Sequence, residues 1–185
     1  MGADMPNRKD ELELIIKKVI KRVLEEQKKI QIQEKIKNTY IVFNEDWDNR
    51  YYFLFEELNK IKDKNIYAVL LNEDCSVYKN KIEKLYTFTK VIKLEEFLCE
   101  EEDMVIFPVI KRDEVIHIAS CLSDTKTTKL IKKCFENGTE IYILKYGIEK
   151  LTGKEPEKYK QKILNYYKEI FEFDIEIIEN LKVVM

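Results

Sequence analysis

Short, nearly unbroken apolar runs recur along this chain between stretches of helical period, and that alternation limits the folds open to it. The runs are Ile41-Val42-Phe43, Ala68-Val69-Leu70-Leu71, Met104-Val105-Ile106-Phe107 and Tyr142-Ile143-Leu144. A strand exposed on one face alternates apolar and polar residues, whereas a continuous run belongs to a strand covered on both. Strands are expected at Thr39–Phe43, Ile66–Leu71, Phe88–Leu94, Met104–Phe107, Ile141–Leu144 and Ile175–Ile178. Between them the period becomes helical over Asn49–Lys62, Val77–Leu85, Glu95–Glu100, Ile116–Leu122, Thr125–Glu136 and Pro156–Phe171. Tyr52, Phe53, Phe55, Leu58 and Ile61 are expected on the inner side of the first of these. Asn137-Gly138 reads as a helix stop, and Pro156 as a first-turn proline. The result is an α/β class, an open parallel sheet with helices on both faces.

Ahead of this domain, residues 1–37 read as a separate element, and residues 38–185 as the domain itself. Leu12, Ile15, Ile16, Val19, Ile20, Val23 and Leu24 recur at helical spacing over Glu11–Lys29, opposite a face of Lys, Arg and Glu. A polar connector follows. The helix has three readings: it packs on its own domain, pairs with a copy of itself, or serves as a detachable targeting helix.

Charge excludes some functions. Net charge is −2 with 33 basic and 35 acidic residues, which offers no electrostatic footprint for nucleic acid. No apolar run approaches the length of about 20 residues that a membrane span needs. Cys75, Cys99, Cys121 and Cys134 lack metal-site spacing, so no metal is expected and a reducing, cytoplasmic setting fits. His117 is the single histidine. One titratable group without a placed partner does not make an acid–base pair, so it reads as a packed or capping residue.

Parallel sheets bind ligands at the carboxyl ends of their strands. The loops to inspect are therefore 44–49, 72–77, 108–115 and 145–154. The first reads Asn44-Glu45-Asp46-Trp47-Asp48-Asn49, without the glycine that lets backbone N–H groups approach a phosphate. Its plain reading is a capped loop, with Asp48 at the helix start and Trp47 packed on a neighbour. In the second loop Ser76 is the candidate phosphate donor, or Asp74 or Ser76 is an ordinary N-cap. Cys121 has two readings, a reactive thiol near a helix N-terminus or, favoured by its apolar neighbours, a buried and inert one.

The segment Val105–Thr128, VIFPVIKRDEVIHIASCLSDTKTT, is the most specific. It resembles a signature of the FMN-dependent cysteine decarboxylase-like flavoproteins, the group that includes phosphopantothenoylcysteine decarboxylase and dipicolinate synthase B-like chains. That signature runs strand, Pro, three residues, Asn-Thr, then Lys-Ile-Ala, Gly, Asp and Thr at fixed offsets. Pro108, Ala119 and Asp124 fall on its proline, small residue and acid, and Thr127 and Thr128 near its threonine. Asp113-Glu114 replaces the Asn-Thr pair that meets the flavin ring, and Cys121 stands, at one remove, for the glycine. An ionised aspartate accepts hydrogen bonds but cannot donate them. The family's catalytic histidine lies after the second strand, and Ser76–Leu85 contains none.

The resemblance covers about residues 38–180. It implies a three-layer, Rossmann-like or flavodoxin-like domain. It implies FMN as cofactor, with Asn44, Trp47, Ser76, Pro108, Asp113, Ala119, Ser123 and Asp124 as the flavin-side residues, and a trimer-based homo-oligomer. Any enzyme would be an FMN-dependent lyase or oxidoreductase of the cysteine decarboxylase-like type. Residues 10–29 resemble the encapsulation helices of bacterial microcompartment enzymes, which implies a shell protein as partner and an accessory flavoprotein, with altered or lost FMN binding, inside such a compartment. The alternatives are a non-enzymatic binding or scaffold module on the same scaffold and, more remotely, a nucleotide or sugar-phosphate enzyme.

Overall fold

All six strands of the sheet run parallel, in the order β3-β2-β1-β4-β5-β6. They are β1 (Thr39–Phe43), β2 (Ile66–Leu70), β3 (Lys90–Lys93), β4 (Met104–Phe107), β5 (Glu140–Leu144) and β6 (Ile175–Ile178). The computed structural model describes residues 37–61, 65–72 and 75–185, together with Lys18. The amphipathic helix expected over Glu11–Lys29 lies outside the described residues apart from Lys18, as do Lys62 and Asp74. Residues 37–185 form one unit.

The described helices are α1 (Tyr51–Leu58), α2 (Cys75–Leu85), α3 (Arg112–Ala119), α4 (Lys126–Asn137) and α5 (Glu157–Glu172). Successive β1 residues point to opposite sheet faces, as the two-residue repeat of a strand requires. Tyr40 and Val42 join one core with Val115 and Ile118 of α3, Leu130 and Ile131 of α4, and Ile170 of α5. Ile41 and Phe43 join the other with Tyr51, Leu54 and Leu58 of α1 and Ile82 of α2. Each fully buried large side chain contributes about 1.5–3 kcal/mol. That is why β4, with every residue buried, is apolar throughout, and β1, also fully buried, is apolar after Thr39. The three-layer α/β fold expected from the alternation is the one observed.

Three local readings are corrected. On α1 the buried residues are Tyr51, Leu54, Phe55 and Leu58, while Tyr52 and Phe53 are exposed. The helix after β4 begins at Arg112, not at Ile116, and ends at Ala119. Cys121 is exposed, not buried.

The register places the site. Thr39 lies level with Ile66 on one side and Met104 on the other, so β1, β2 and β4 start together and β4 ends one residue before its neighbours. The chain reverses its direction of winding between β1 and β4, and there the loops leaving the two strands diverge to leave a crevice.

Candidate crevice at the carboxyl edge of the sheet

A crevice of about 390 Å³ opens at this edge, lined by Asn44 and Glu45 after β1, Leu71 after β2, Lys111 and Glu114 after β4, and Asp124–Thr127 with Lys129 at the start of α4. Its walls are tied by side chains from distant parts of the chain. The Asn44 amide donates to the Val109 carbonyl at 3.2 Å, joining the exits of β1 and β4. Lys126 Nζ donates to the Leu71 carbonyl at 3.0 Å and pairs with Glu45 at 2.7 Å. Lys111 pairs with Asp46 at 3.1 Å, and that hydrogen bond holds the Lys111 ammonium above its ordinary pKa. Both signs of charge thus line the crevice, largely matched with each other.

The β1 exit uses its own backbone donors. Asn44 N donates to the Tyr51 hydroxyl at 2.8 Å. Arg50 N donates to Asp48 Oδ1 at 2.8 Å, just ahead of α1. The Arg50 guanidinium also donates to both Asp48 oxygens, at 2.9 and 2.7 Å, and holds that carboxyl below its usual pKa. Arg50 Nη1 reaches across to the Gly147 carbonyl at 3.0 Å. A β-carbon on Gly147 would sit 1.7 Å from the Pro108 carbonyl oxygen, so only glycine lets the β5 exit lie against the β4 exit.

The far wall is the start of α4. Thr125 is its N-cap: the hydroxyl accepts from Thr128 N at 3.1 Å while Thr125 N donates to the Thr128 hydroxyl at 3.0 Å. The Thr125 hydroxyl donates to Glu114 Oε2 at 2.7 Å. Burial raises the Glu114 pKa and the Asp113 charge adds to it, against the hydroxyls of Thr125 and Thr127. His117, one turn along α3, meets Asp124 Oδ1 with Nδ1 at 3.0 Å, and that pair is solvent-accessible.

The structure brings together only part of the residue set expected from the sequence. Asn44 and Asp124 line the crevice. Pro108 is buried against Gly147 and is not among the residues that line the crevice. Asp113 is exposed on α3, its carboxylate accepting from Glu114 N at 3.0 Å. Trp47 turns away, stacking edge-on against Tyr51 and Tyr78 under Lys81 Nζ, which lies 3.6 Å from its ring centre. Ser76 is exposed in the first turn of α2. Ala119 packs on the core, and Ser123 lines a different, largely apolar groove beside α4 with Ile131, Phe135 and Phe173. Sequence reasoning passed over Lys111, Thr125 and Lys126. The one local signal was Thr125, a capping threonine three residues before Thr128.

Cys121 stands at a backbone position that suits glycine. It adopts a left-handed φ of 55° and closes α3, with Cys121 N donating to Ile118 O and Leu122 N to His117 O, both at 2.9 Å. This is the double hydrogen bond of a Schellman stop, where glycine is the usual residue.

Solved structures share this fold. The FMN-dependent cysteine decarboxylase TvaF from thioviridamide biosynthesis matches over 80% of this chain and 92% of its own, at 9% identity and a TM-score of 0.55. A dodecameric FMN-dependent UbiX-like decarboxylase from Escherichia coli O157:H7 matches over 76% and 79%, at 8% identity and 0.51. The peptidyl-cysteine decarboxylase EpiD matches over 77% and 85%, at 9% identity and 0.50. No family model and no curated protein matches the sequence. Structural likeness at identities this low shows the fold alone.

Proposed function

We propose that this chain is an accessory protein on the flavoprotein-decarboxylase scaffold in which FMN binding is altered or lost. One observation carries the reading: the chain itself engages two backbone donors and the arginine at the β1 exit. A phosphate at a strand-to-helix turn is held by backbone N–H groups aimed at it. Asn44 N is taken by Tyr51, Arg50 N by the Asp48 carboxylate, and Arg50's guanidinium by Asp48 and Gly147. Seating a phosphate there would displace one anion with another. Nor does the β4 side offer the ring a donor pair, since Asp113-Glu114 stands there and the Glu114 carboxyl is held by Thr125. The residues present do not fit FMN, and no step of flavin chemistry is assigned to them.

The crevice that remains, with matched lysines and carboxylates, suits a binding or scaffold role. A homo-oligomer is part of the proposal, supported by the resemblance and by the dodecameric assembly of one fold neighbour. The microcompartment role rests on the amphipathic pattern of residues 10–29, whose apolar stripe suits a groove on a shell protein. Among the described residues, no helix is long and apolar enough to cross a membrane.

The test is FMN added to the purified full chain. The expected result is a colourless protein, no quenching of FMN fluorescence and no rise in Tm, because a ligand that binds only the folded state must stabilise it. Yellow protein as isolated, or a Tm rise of several degrees with micromolar FMN, would overturn the proposal. For the targeting helix, deletion of residues 1–30 should leave a folded domain and abolish co-sedimentation with shell protein. A deletion that unfolds the domain would remove that part of the reading.

A further inference from the structure

Apart from the crevice, an apolar hollow of about 500 Å³ lies beside α4. Ile118 of α3, Leu122 beyond it, Ile131 and Phe135 of α4, and Phe173 after α5 form its walls. A second hollow, about 380 Å³ at the starts of β5 and β6, shares Phe135, Phe173 and Asp174 with the first, so the two make one trough. Phe135 and Phe173 meet edge-on in it, with ring centres 6.3 Å apart. The trough is the unfilled half of a helical layer. α4 starts at the crevice and ends just before β5, so it runs the length of the sheet. α3 packs against both α4 and α5, but it has only eight residues and stops at Ala119. Among the described residues, no element continues its line toward the amino edge. One side of α4 is therefore left open there: Thr128, Ile131, Lys132 and Phe135, at the i, i+3, i+4 and i+7 spacing of a single helix side. Leu122 and Phe135 remain 48% and 44% exposed on it. From Thr128 to Gly138 that side is about 15 Å long, the length of a helix of about ten residues.

The two walls differ in charge. α4 contributes Lys132, which meets Glu136 at 3.7 Å in an exposed pair. The opposite wall contributes Asp174, where the chain leaves α5, and Glu176 of β6, both exposed. Glu140 also lines the lower part, held by Lys37 and the Tyr142 hydroxyl. We propose that the trough is a docking groove for an amphipathic helix of a partner protein. Its occupant carries apolar anchors at i, i+3 or i+4, and i+7, the pattern of a helix laid in a groove. Carboxylates flank the anchors on the side that meets Lys132, and lysines or arginines on the side that meets Asp174 and Glu176. Burial of the anchors drives the contact, and the unlike walls set the direction in which the helix lies. The trough shares no lining residue with the crevice, so the proposal stands apart from the question of FMN.

The test titrates the full chain into three labelled model helices with the same leucine stripe. One has Glu on one flank and Lys on the other, one has Lys on both flanks, and one has Glu on both. Fluorescence anisotropy should show saturable binding, tightest for the mixed helix. Phe135→Ala should weaken it about tenfold or more, as loss of a central anchor does. Lys132→Glu should shift the preference to the all-Lys helix by about fivefold, the scale of an exposed ion pair. On wild type, the bound mixed helix should slow alkylation of Cys121, an exposed thiol that lines the trough. No saturable binding, wild type preferring the all-Lys helix, or Cys121 alkylated at an unchanged rate under saturating helix would overturn the proposal. So would a dimer of the chain that Phe135→Ala dissociates, which would give the trough to a second copy. The Cys121 footprint needs no substitution, so it decides even if a variant fails to fold.

Discussion

Replacing Gly147 by alanine should damage the carboxyl edge of the sheet more than its single methyl suggests. The added β-carbon would lie 1.7 Å from Pro108 O, 2.6 Å from Pro108 C and 2.8 Å from Val109 Cα, where ordinary contact begins at 3.4 Å. All three neighbours are backbone, so no side-chain rotation relieves the overlap. The β4 and β5 exits must part by more than an ångström. That breaks the bond from Ile110 N to Gly147 O, 3.0 Å, and the one from Arg50 Nη1 to the same oxygen, also 3.0 Å. Ile110 is 1% exposed, so its stranded N–H has no access to water. A buried unmade hydrogen bond costs about 1–3 kcal/mol, and overpacking adds about 1–3 kcal/mol. Sharing one oxygen, these terms overlap, and the expected loss is about 3–5 kcal/mol. Urea unfolding of wild type and Gly147→Ala measures it. Gly153→Ala is the control: its φ of 86° strains alanine, yet nothing lies within 4 Å. It should cost only about 1–2 kcal/mol. Equal losses at the two glycines, or a loss below about 1 kcal/mol at Gly147, would refute the packing argument.

Other outcomes follow from local geometry. Cys121→Gly relieves a left-handed cysteine at the α3 stop and should raise stability by up to about 1 kcal/mol, read by urea unfolding. Thr125→Ala removes both the cap on α4 and the donor to Glu114, at a cost of about 1–2 kcal/mol, while Thr125→Ser keeps most of it. Glu114 has its pKa raised on folding, so between its unfolded and folded values the native state binds more protons, and its contribution falls as pH rises through that window. Glu114→Gln should abolish that part of the pH dependence and be the more stable form at neutral pH, as unfolding measured across pH 4–8 would show.

Much of the fold was legible because strand burial leaves a local mark. Both faces of β1 and β4 are covered, so neither can alternate, and the runs stand out in the sequence. The α4 stop was equally plain, since Asn137-Gly138 ends the helix with glycine at a φ of 69°. The start of α3 was hidden by Arg112-Asp113-Glu114, which resembles a surface link. Carboxylates there favour the positive end of a helix, and only the packing of Val115 and Ile118 reveals the turn they begin. On α1, aromatic residues occupy both faces, so residue type could not tell Tyr51 inside from Tyr52 and Phe53 outside.

By itself the sequence determined the class of this protein, a parallel α/β sheet, because covering strands on both faces requires continuous apolar runs that chemistry makes visible along the chain. Tertiary structure alone decided the site. Whether Lys126 meets Glu45, Asn44 meets Val109, and Gly147 lies on Pro108 depends on which strands are neighbours and how their exits align. Those partners lie far apart in the chain, and nothing in the pattern around either residue encodes the distance between them once folded.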